Sequence, residues 1–294
     1  LGFSYEEYTK TSAEEHKSFI KEFHSKLYES EYVYEKEVPQ AYCTCCDTFL
    51  ADRFVLGKCP KCGEDTRGDQ CDACGTVLEP ENLLEPICEV CKNKITFKPS
   101  KHLYIAISKL EKELRALVDE NKGWRKNAVS FTNRYIEEGL RDRALTRDLD
   151  WGIDVPKEGY EEKSIYIWAE NVLGYLSASK VAAERKGTSF AELWGKDAKH
   201  YYVHGKDNIP FHTIILPALL LANGDGWHLP DQIVSSEYLT LEGKKISTSK
   251  NYAIWIKDLI GKYEPDSIRY FFIANGPEKK DADFSWREYI NSHN

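Results

Sequence analysis

Eight of the nine cysteines fall into four C-x-x-C pairs: Cys43 with Cys46, Cys59 with Cys62, Cys71 with Cys74, and Cys88 with Cys91. Two residues of separation turn both thiolates toward one centre, and two such pairs complete a tetrahedral site of four sulfurs for zinc. Four pairs therefore imply two zinc ions (Zn2+). With sulfur at every position, no coordination site stays open for catalysis, so the expected role is structural. Nothing marks the chain as secreted, which makes disulfides the weaker reading. Cys45 is left over as a spectator thiol. The pairing stays open. A nested scheme closes Cys59, Cys62, Cys71 and Cys74 into an inner knuckle, with Gly63, Gly68 and Gly75 permitting its turns, and leaves Cys43, Cys46, Cys88 and Cys91 outside. A sequential scheme joins the first two pairs and the last two, supported by similar spacings in the two halves.

A second chemically loaded stretch runs from Tyr238 to Asn251. Val234, Leu239 and Leu241 read as a strand; Gly243 follows, then Lys244, Lys245, Ser247, Thr248, Ser249 and Lys250, with Ile246 the one bulky apolar residue among them. Such a loop cannot offset its ordering entropy by burying apolar surface, so it is expected to order against a phosphate-like anion. Two further segments, Trp168 to Tyr175 and His204 to His212, place aromatic and imidazole side chains after apolar strand-like runs. A single Trp, Tyr or His is more often core than site; convergence of the three segments is what would make them one.

The elements that must position these residues are legible in part. Ser12 and Glu15 have the form of a capping box before a helix carrying Phe19, Ile20, Phe23 and Leu27. The spacing of Leu103, Ile107, Leu110, Leu114 and Leu117 predicts an amphipathic helix from His102 to about Glu120, and a second is expected from Lys126 to Leu140. Ser164–Trp168 reads as a buried strand running into a helix from Ala169 to Ser179. Tyr201–His204 reads as another, ended by Gly205, Lys206, Asp207 and Asn208 and followed by an apolar helix from Ile209 to Ala222. Strands alternating with helices predict an α/β fold with a parallel, doubly wound sheet, in which ligands bind beyond the carboxyl ends of the strands.

The 294 residues suffice for two domains or one domain with a large insertion. No run approaches a membrane span and there is no signal peptide, so a protein of the cytoplasm without a membrane partner is expected. A net charge of −8 argues against a histone-like nucleic-acid coat but leaves room for a local basic patch. The chain opens on Leu1 and lacks methionine altogether, which reads as truncation or loss of methionines.

Lys245-Ile246-Ser247-Thr248-Ser249 resembles the KMSKS loop of aminoacyl-tRNA synthetases built on a Rossmann-like fold, and Arg147-Asp148-Leu149-Asp150-Trp151-Gly152-Ile153-Asp154-Val155-Pro156 resembles the segment by which methionyl enzymes re-enter their catalytic domain. Together with the cysteines these features resemble the methionyl-tRNA synthetases from Leu1 to Asn294. The resemblance implies part of a Rossmann-like parallel sheet with a zinc-knuckle connective insertion and the start of a helical C-terminal region. It places the end of the first catalytic half at 1–28, the insertion at 29–145, the second half at 146–262 and a stem-contact region at 263–294. It favours the nested zinc scheme. It implies that Trp168, Val172, Tyr175 and His212 form a methionine side-chain pocket, that Gly205, Asp207 and Thr248 approach the nucleotide, and that Lys245, Ser247, Thr248, Ser249 and Lys250 act on the phosphates. Substrates would be methionine and ATP with magnesium (Mg2+), and the macromolecular partner tRNA.

Three departures stand out. Thr248 occupies a position usually held by lysine, Ser236-Glu237 replaces a common His-Gly, and no H-x-G-H sequence occurs. The resemblance places that last motif before Leu1 and an anticodon-binding bundle after Asn294. A related synthetase for another apolar amino acid is the nearest alternative, although the leucine and isoleucine members carry a larger insertion than fits between Glu29 and Arg143. A zinc-ribbon module that grips RNA without chemistry is the other; it leaves the lysine loop and Trp168 to Tyr175 unexplained. The 294-residue chain alone is expected not to form the adenylate; methionine-dependent ATP–pyrophosphate exchange by it would contradict this.

Overall fold

The structure, a computed structural model, describes residues 1–71, 73–149, 151–248 and 251–293. Helix α1 (Glu14–Leu27) buries Phe19, Ile20, Phe23 and Leu27 along one face. The expected capping box does not form: the residue at the cap is Ala13, one position after Ser12, and its methyl has no oxygen to offer. Glu14 and Glu15 meet the helix dipole instead.

Strand β1 (Val33–Cys43) then leads into a cysteine-rich lobe made of β2 (Thr48–Phe49), β3 (Val55–Lys58), β4 (Asp65–Arg67) and β5 (Leu84–Cys88), and β6 (Thr96–Ile105) leads out. β1 and β6 pair antiparallel from Val33 opposite Ile105 to Tyr42 opposite Thr96, forming a two-stranded stalk. β3 is flanked by β4 and β5, both antiparallel. The lobe's apolar cluster contains only a few aliphatics, Leu50, Val55, Leu78 and Leu83 among them, around the cysteines.

The helix expected from His102 is corrected here. His102 to Ile105 belong to β6, a 3-10 turn covers Ile107–Leu110, and α2 spans Glu111–Glu120. Leu103, Ile107 and Leu110 fit a helical stripe, but the backbone of His102–Ile105 bonds across to β1, and that long-range ladder overrides local spacing. α3 (Lys126–Glu137) is close to expectation.

β7 (Arg143–Ala144) extends the stalk sheet, and β8 (Thr146–Arg147) pairs antiparallel with β9 (Ser164–Ile165). The strand expected through Trp168 stops at Ile165, where its two-residue partner ends. α4 (Ile167–Glu170), a 3-10 turn at Asn171–Leu173 and α5 (Gly174–Lys186) follow, so Trp168, Val172 and Tyr175 share one helical face. α1 pins this run from behind. His16 Nε2 lies 3.0 Å from Glu170 Oε2, His16 Nδ1 lies 2.8 Å from Ser177 Oγ, and His24 Nε2 donates to the Ala169 carbonyl at 2.9 Å. Full burial pushes His24 down to about 4, so it packs as a neutral ring.

After α6 (Phe190–Leu193), strand β10 (Tyr201–Gly205) runs into a widened π-type turn at Phe211–Ile215 and α7 (Leu216–Asn223), and returns as β11 (Gln232–Ser236). β10 and β11 are parallel, with Tyr201 opposite Gln232 and Gly205 opposite Ser236, so this is a βαβ unit as expected. The single strand read through Val234 and Leu241 is two: β12 (Leu239–Leu241) belongs to another sheet. It turns through Glu242 and Gly243, both at positive φ, into β13 (Lys244–Lys245). α8 (Ile256–Ile260), α9 (Pro265–Ala274), β14 (Ala282–Phe284), parallel to β12, and α10 (Trp286–His293) complete the described chain. These last elements bury their own apolar cluster of Leu241, Leu259, Ile268, Phe271, Phe284 and Tyr289, distinct from the main core. Among the described residues no helix is long and apolar enough to cross a membrane.

Candidate functional site

The end of β10 is the corner from which the site is built. Gly205 closes the strand, and a side chain there would have its Cβ 2.6 Å from Asp207 Oδ1, so glycine keeps the Asp207 carboxylate in place. The π-type turn then brings Phe211 and His212 round onto the helix bearing Trp168 and Tyr175; such turns are frequent where side chains are re-aimed for function. The Trp168 indole stacks on Phe211 with ring centres 3.6 Å apart and planes 11° from parallel. His212 accepts from Tyr175: its Nε2 lies 2.7 Å from the phenol oxygen, while Nδ1 lies 2.9 Å from the Asn208 carbonyl oxygen. A carbonyl can only accept, so Nδ1 carries the proton and Nε2 receives the Tyr175 hydroxyl hydrogen. Burial, reinforced by the stacked His204 ring 4.2 Å away, pushes His212 down to about 4. Burial likewise depresses His204, whose Nδ1 sits 2.8 Å from the Gly205 carbonyl and whose Nε2 is buried without a hydrogen-bond partner among the described residues. Val172, on the helical run between Trp168 and Tyr175, is buried.

Trp168, Phe211, Asp207, Asn208, Tyr238 and Lys245 border one cleft of about 1320 Å³, whose far wall is the inner part of the cysteine lobe, including Arg53, Lys58 and Arg67. Of the residues expected at the nucleotide and phosphates, Gly205 and Asp207 lie at the strand end, Lys245 borders the cleft, Ser247 backs onto Tyr252 and Thr248 is exposed. Ser249 and Lys250 lie outside the described residues. Behind the Trp168–Phe211 stack is a cavity of about 70 Å³ bordered by Asp52, Glu79, Arg143, Arg147 and Tyr166. Arg147 Nη2 meets Asp52 Oδ2 at 2.9 Å with both side chains buried, and its guanidinium covers the Tyr166 ring at 4.1 Å. This pair ties the lobe to the re-entering strand beside the site.

His204 and Phe211 lie in the segment that the sequence marks from His204 to His212, but the sequence assigns neither a role of its own, because each acts through ring stacking. The Arg147–Asp52 pair has no signal in the sequence, since its contact is tertiary.

The eight paired cysteines gather as two clusters, Cys43, Cys46, Cys88 and Cys91, and Cys59, Cys62, Cys71 and Cys74, with the sulfurs of each within 4.8 Å of one another. That is the nested arrangement. Sulfur separations of 3.4 Å for Cys43–Cys91, 4.0 Å for Cys46–Cys88, 3.8 Å for Cys59–Cys74 and 3.6 Å for Cys62–Cys71 exclude disulfide bonds. They fit a tetrahedron of zinc–sulfur bonds of about 2.3 Å, whose edges are about 3.8 Å. In every pair the residue after the second cysteine, Asp47, Gly63, Gly75 or Lys92, has positive φ, so the four knuckles share one backbone turn. Gly68 serves differently, since a Cβ there would lie 2.5 Å from the Asp52 carbonyl. The donor set and its spacing fit zinc, which both clusters could hold. Cys45 is exposed.

A family model described as tRNA synthetases class I (M) matches residues 1–294. The chain is 52% identical over 296 residues to methionine–tRNA ligase 1 of Alkaliphilus oremlandii, covering 100% of this chain and 54% of that protein. It is 50% identical over 297 residues to methionine–tRNA ligase 1 of Bacillus cereus, again covering 100% of this chain and 54% of the relative. It thus spans about half the length of the curated relatives it matches. Among solved structures, Mycobacterium tuberculosis methionyl-tRNA synthetase bound by methionyl-adenylate superposes with a TM-score of 0.71 at 18% identity, covering 99% of this chain and 51% of that one. The ligand-free form of the same enzyme gives 0.68. These likenesses establish the mixed α/β, Rossmann-type fold.

The geometry at His212 makes a direct prediction. Nitrogen-15 spectra at pH 7 should show a neutral ring protonated on Nδ1, charging only near pH 4 rather than near the ordinary 6.5. Tyr175→Phe removes the donor that favours the neutral form and should move the titration upward. A wild-type midpoint of 6 or higher, or a proton on Nε2, would contradict the assignment.

Proposed function

Because the chain belongs to the tRNA synthetase class I (M) family, we propose that it supplies the methionine pocket, part of the ATP site and the zinc-bearing lobe of a methionine–tRNA ligase. The reaction has two steps. A methionine carboxylate oxygen attacks the α-phosphorus of ATP, the bond to the bridging oxygen breaks, and pyrophosphate leaves with that electron pair. A ribose hydroxyl of the terminal tRNA adenosine then attacks the methionyl carbonyl, and AMP leaves. The observation that carries this reading is the meeting of Trp168, Asp207 and Lys245 on one cleft, with Tyr175 and His212 joined beside the Trp168–Phe211 stack.

The pocket chemistry suits a thioether. Aromatic faces favour polarizable sulfur by roughly 0.3 to 1.5 kcal/mol per contact. His212 is neutral and its one acceptor nitrogen is already occupied by Tyr175, so the wall presents rings and a saturated hydrogen bond rather than a charge. On the nucleotide side, Gly205 admits close backbone approach and Asp207 offers an acceptor to ribose hydroxyls or the methionine ammonium. Phosphoryl chemistry asks mainly for positioning and charge stabilisation. Lys245 is placed to supply charge, Ser247, Thr248, Ser249 and Lys250 of the same loop are proposed to act on the phosphates with it, and magnesium arrives with ATP. Thr248 stands where relatives of the KMSKS type carry lysine, so the cationic share falls on Lys245 and Lys250.

On this reading residues 29–145 are the connective insertion and 146–262 the second catalytic half, working in the cytoplasm where tRNA and ATP are supplied. The two cysteine clusters would hold zinc, and its binding would supply folding free energy on the order of 10 kcal/mol per site to a lobe with few aliphatics.

Methionine should raise the thermal midpoint of the complete protein and leucine should not, with Trp168→Ala abolishing the methionine shift. A shift by leucine equal to that by methionine would favour a different synthetase, and no shift by either would favour an RNA-binding module. Metal analysis should find two zinc ions per chain. The double change Cys43→Ser with Cys91→Ser should remove one, because both serve the same cluster; sequential pairing would remove two.

A further inference from the structure

Lys206 sits between the two residues assigned to the nucleotide, yet its own side chain points away from that duty. Its Nζ lies 2.7 Å from Glu237 Oε2 and 2.8 Å from Asp281 Oδ1, and it covers the Tyr238 ring at 4.2 Å. Those partners are the joints of the loop-bearing module. Glu237 and Tyr238 connect β11 of the main sheet to β12, and Asp281 precedes β14. The joint is otherwise polar: Glu237 N donates to the Pro277 carbonyl at 2.7 Å, Tyr238 N to Asp281 Oδ1 at 2.9 Å, and Ala282 N to the Tyr238 carbonyl at 2.9 Å. On the sheet side Asn127 Nδ2 donates to Glu237 Oε1 at 2.8 Å. The module's apolar cluster is separate from the main core, so shared hydrophobic packing does not fix the angle between them.

We infer that Lys206 is a positioning residue that latches the lysine-loop module onto the nucleotide corner, and thereby sets where Lys245 stands relative to Asp207. Two carboxylates hold two of the ammonium's three donors and more than offset its single charge, so Lys206 is committed to the joint rather than to a phosphate. Removing the cation would leave Glu237 and Asp281 facing each other unneutralised, and like charges at that range repel. The joint would then open rather than merely loosen. Because the ion pairs are partly solvent-exposed, the latch is modest in strength and can be rearranged when polyphosphate enters the cleft.

The consequence for catalysis rests on the proposed ligase function; the latch itself does not. Hydrogen exchange on the complete protein should show the amides of Glu237, Tyr238 and Ala282 exchanging about two- to fivefold faster in Lys206→Met, the factor expected for losing about one exposed ion pair's worth of stability. Ladder amides between β10 and β11 should be unchanged, and Lys206→Arg should behave as wild type. Adding Glu237→Gln to Lys206→Met should restore slow exchange at Tyr238 and Ala282 by removing the repulsion, which a merely structural lysine would not do. In methionine-dependent ATP–pyrophosphate exchange, Lys206→Met should lower kcat about tenfold with KM for methionine unchanged. Unaltered joint amides in Lys206→Met, or a double variant no slower in exchange than the single, would overturn the inference. A wild-type protein without methionine-dependent pyrophosphate exchange would instead sink the ligase reading, and the joint amides would still decide the latch.

Discussion

The parallel ladder between β10 and β11 is the constraint on which the rest depends. Its five-pair register sets Gly205 beside Ser236, so the strand leading to Asp207 and the strand leading to the lysine loop end side by side. A strand's side chains alternate between faces, and slipping by one residue would exchange buried Tyr202 for exposed Val203. The apolar packing beneath Tyr202 and Ile233 therefore fixes the register, and the register fixes the site. Chemistry at the strand ends is inherited from burial in the strand interiors.

The cysteine lobe is held by different physics. Few aliphatics line its interior, and its local turns are four copies of one knuckle. Metal–thiolate bonds would replace hydrophobic burial as the source of cohesion, and in such lobes binding free energy is folding free energy. Attachment to the rest of the protein is by strand pairing and buried charge. The Asp52–Arg147 pair is desolvated on both sides, which makes it costly to break from one side and a weak source of net stability when intact. Its value lies in orientation: it sets the lobe's angle over the cleft that Trp168 and Lys245 border.

What could be read from the sequence divides along the same line. Each knuckle was legible because its geometry is local, and the lysine loop because its composition excludes a packed role. Whether the clusters were nested or sequential was not, because the answer is the pairing of Tyr42 with Thr96 at the far end of the β1–β6 ladder, which draws Cys43 toward Cys91. The residues of β6 that make that ladder carry apolar spacings that also suit a helix, and they were read as one. The misread helix and the open pairing were thus a single missing piece of long-range information. Trp168, Tyr175 and His212 could be selected by type, whereas Phe211 and His204 act through stacking that only the π-type turn creates. The helix starts one residue later than the Ser12–Glu15 spacing predicts, which leaves the Ser12 hydroxyl outside the cap position.

A polar joint is the arrangement to expect where two bodies must be both positioned and free to adjust. Had the loop module shared the main apolar core, changing its angle would expose hydrophobic area at about 25 cal/mol per Å², and few ligands could drive it. Across a joint of ion pairs and backbone hydrogen bonds, each broken contact can be re-formed with water at little net cost. The module's own core keeps β12, β13 and β14 in register while its angle changes. Rigidity inside each body and exchangeable contacts between them would let the loop module change its angle while the Trp168–Phe211 stack and the Tyr175–His212 hydrogen bond stay as they are.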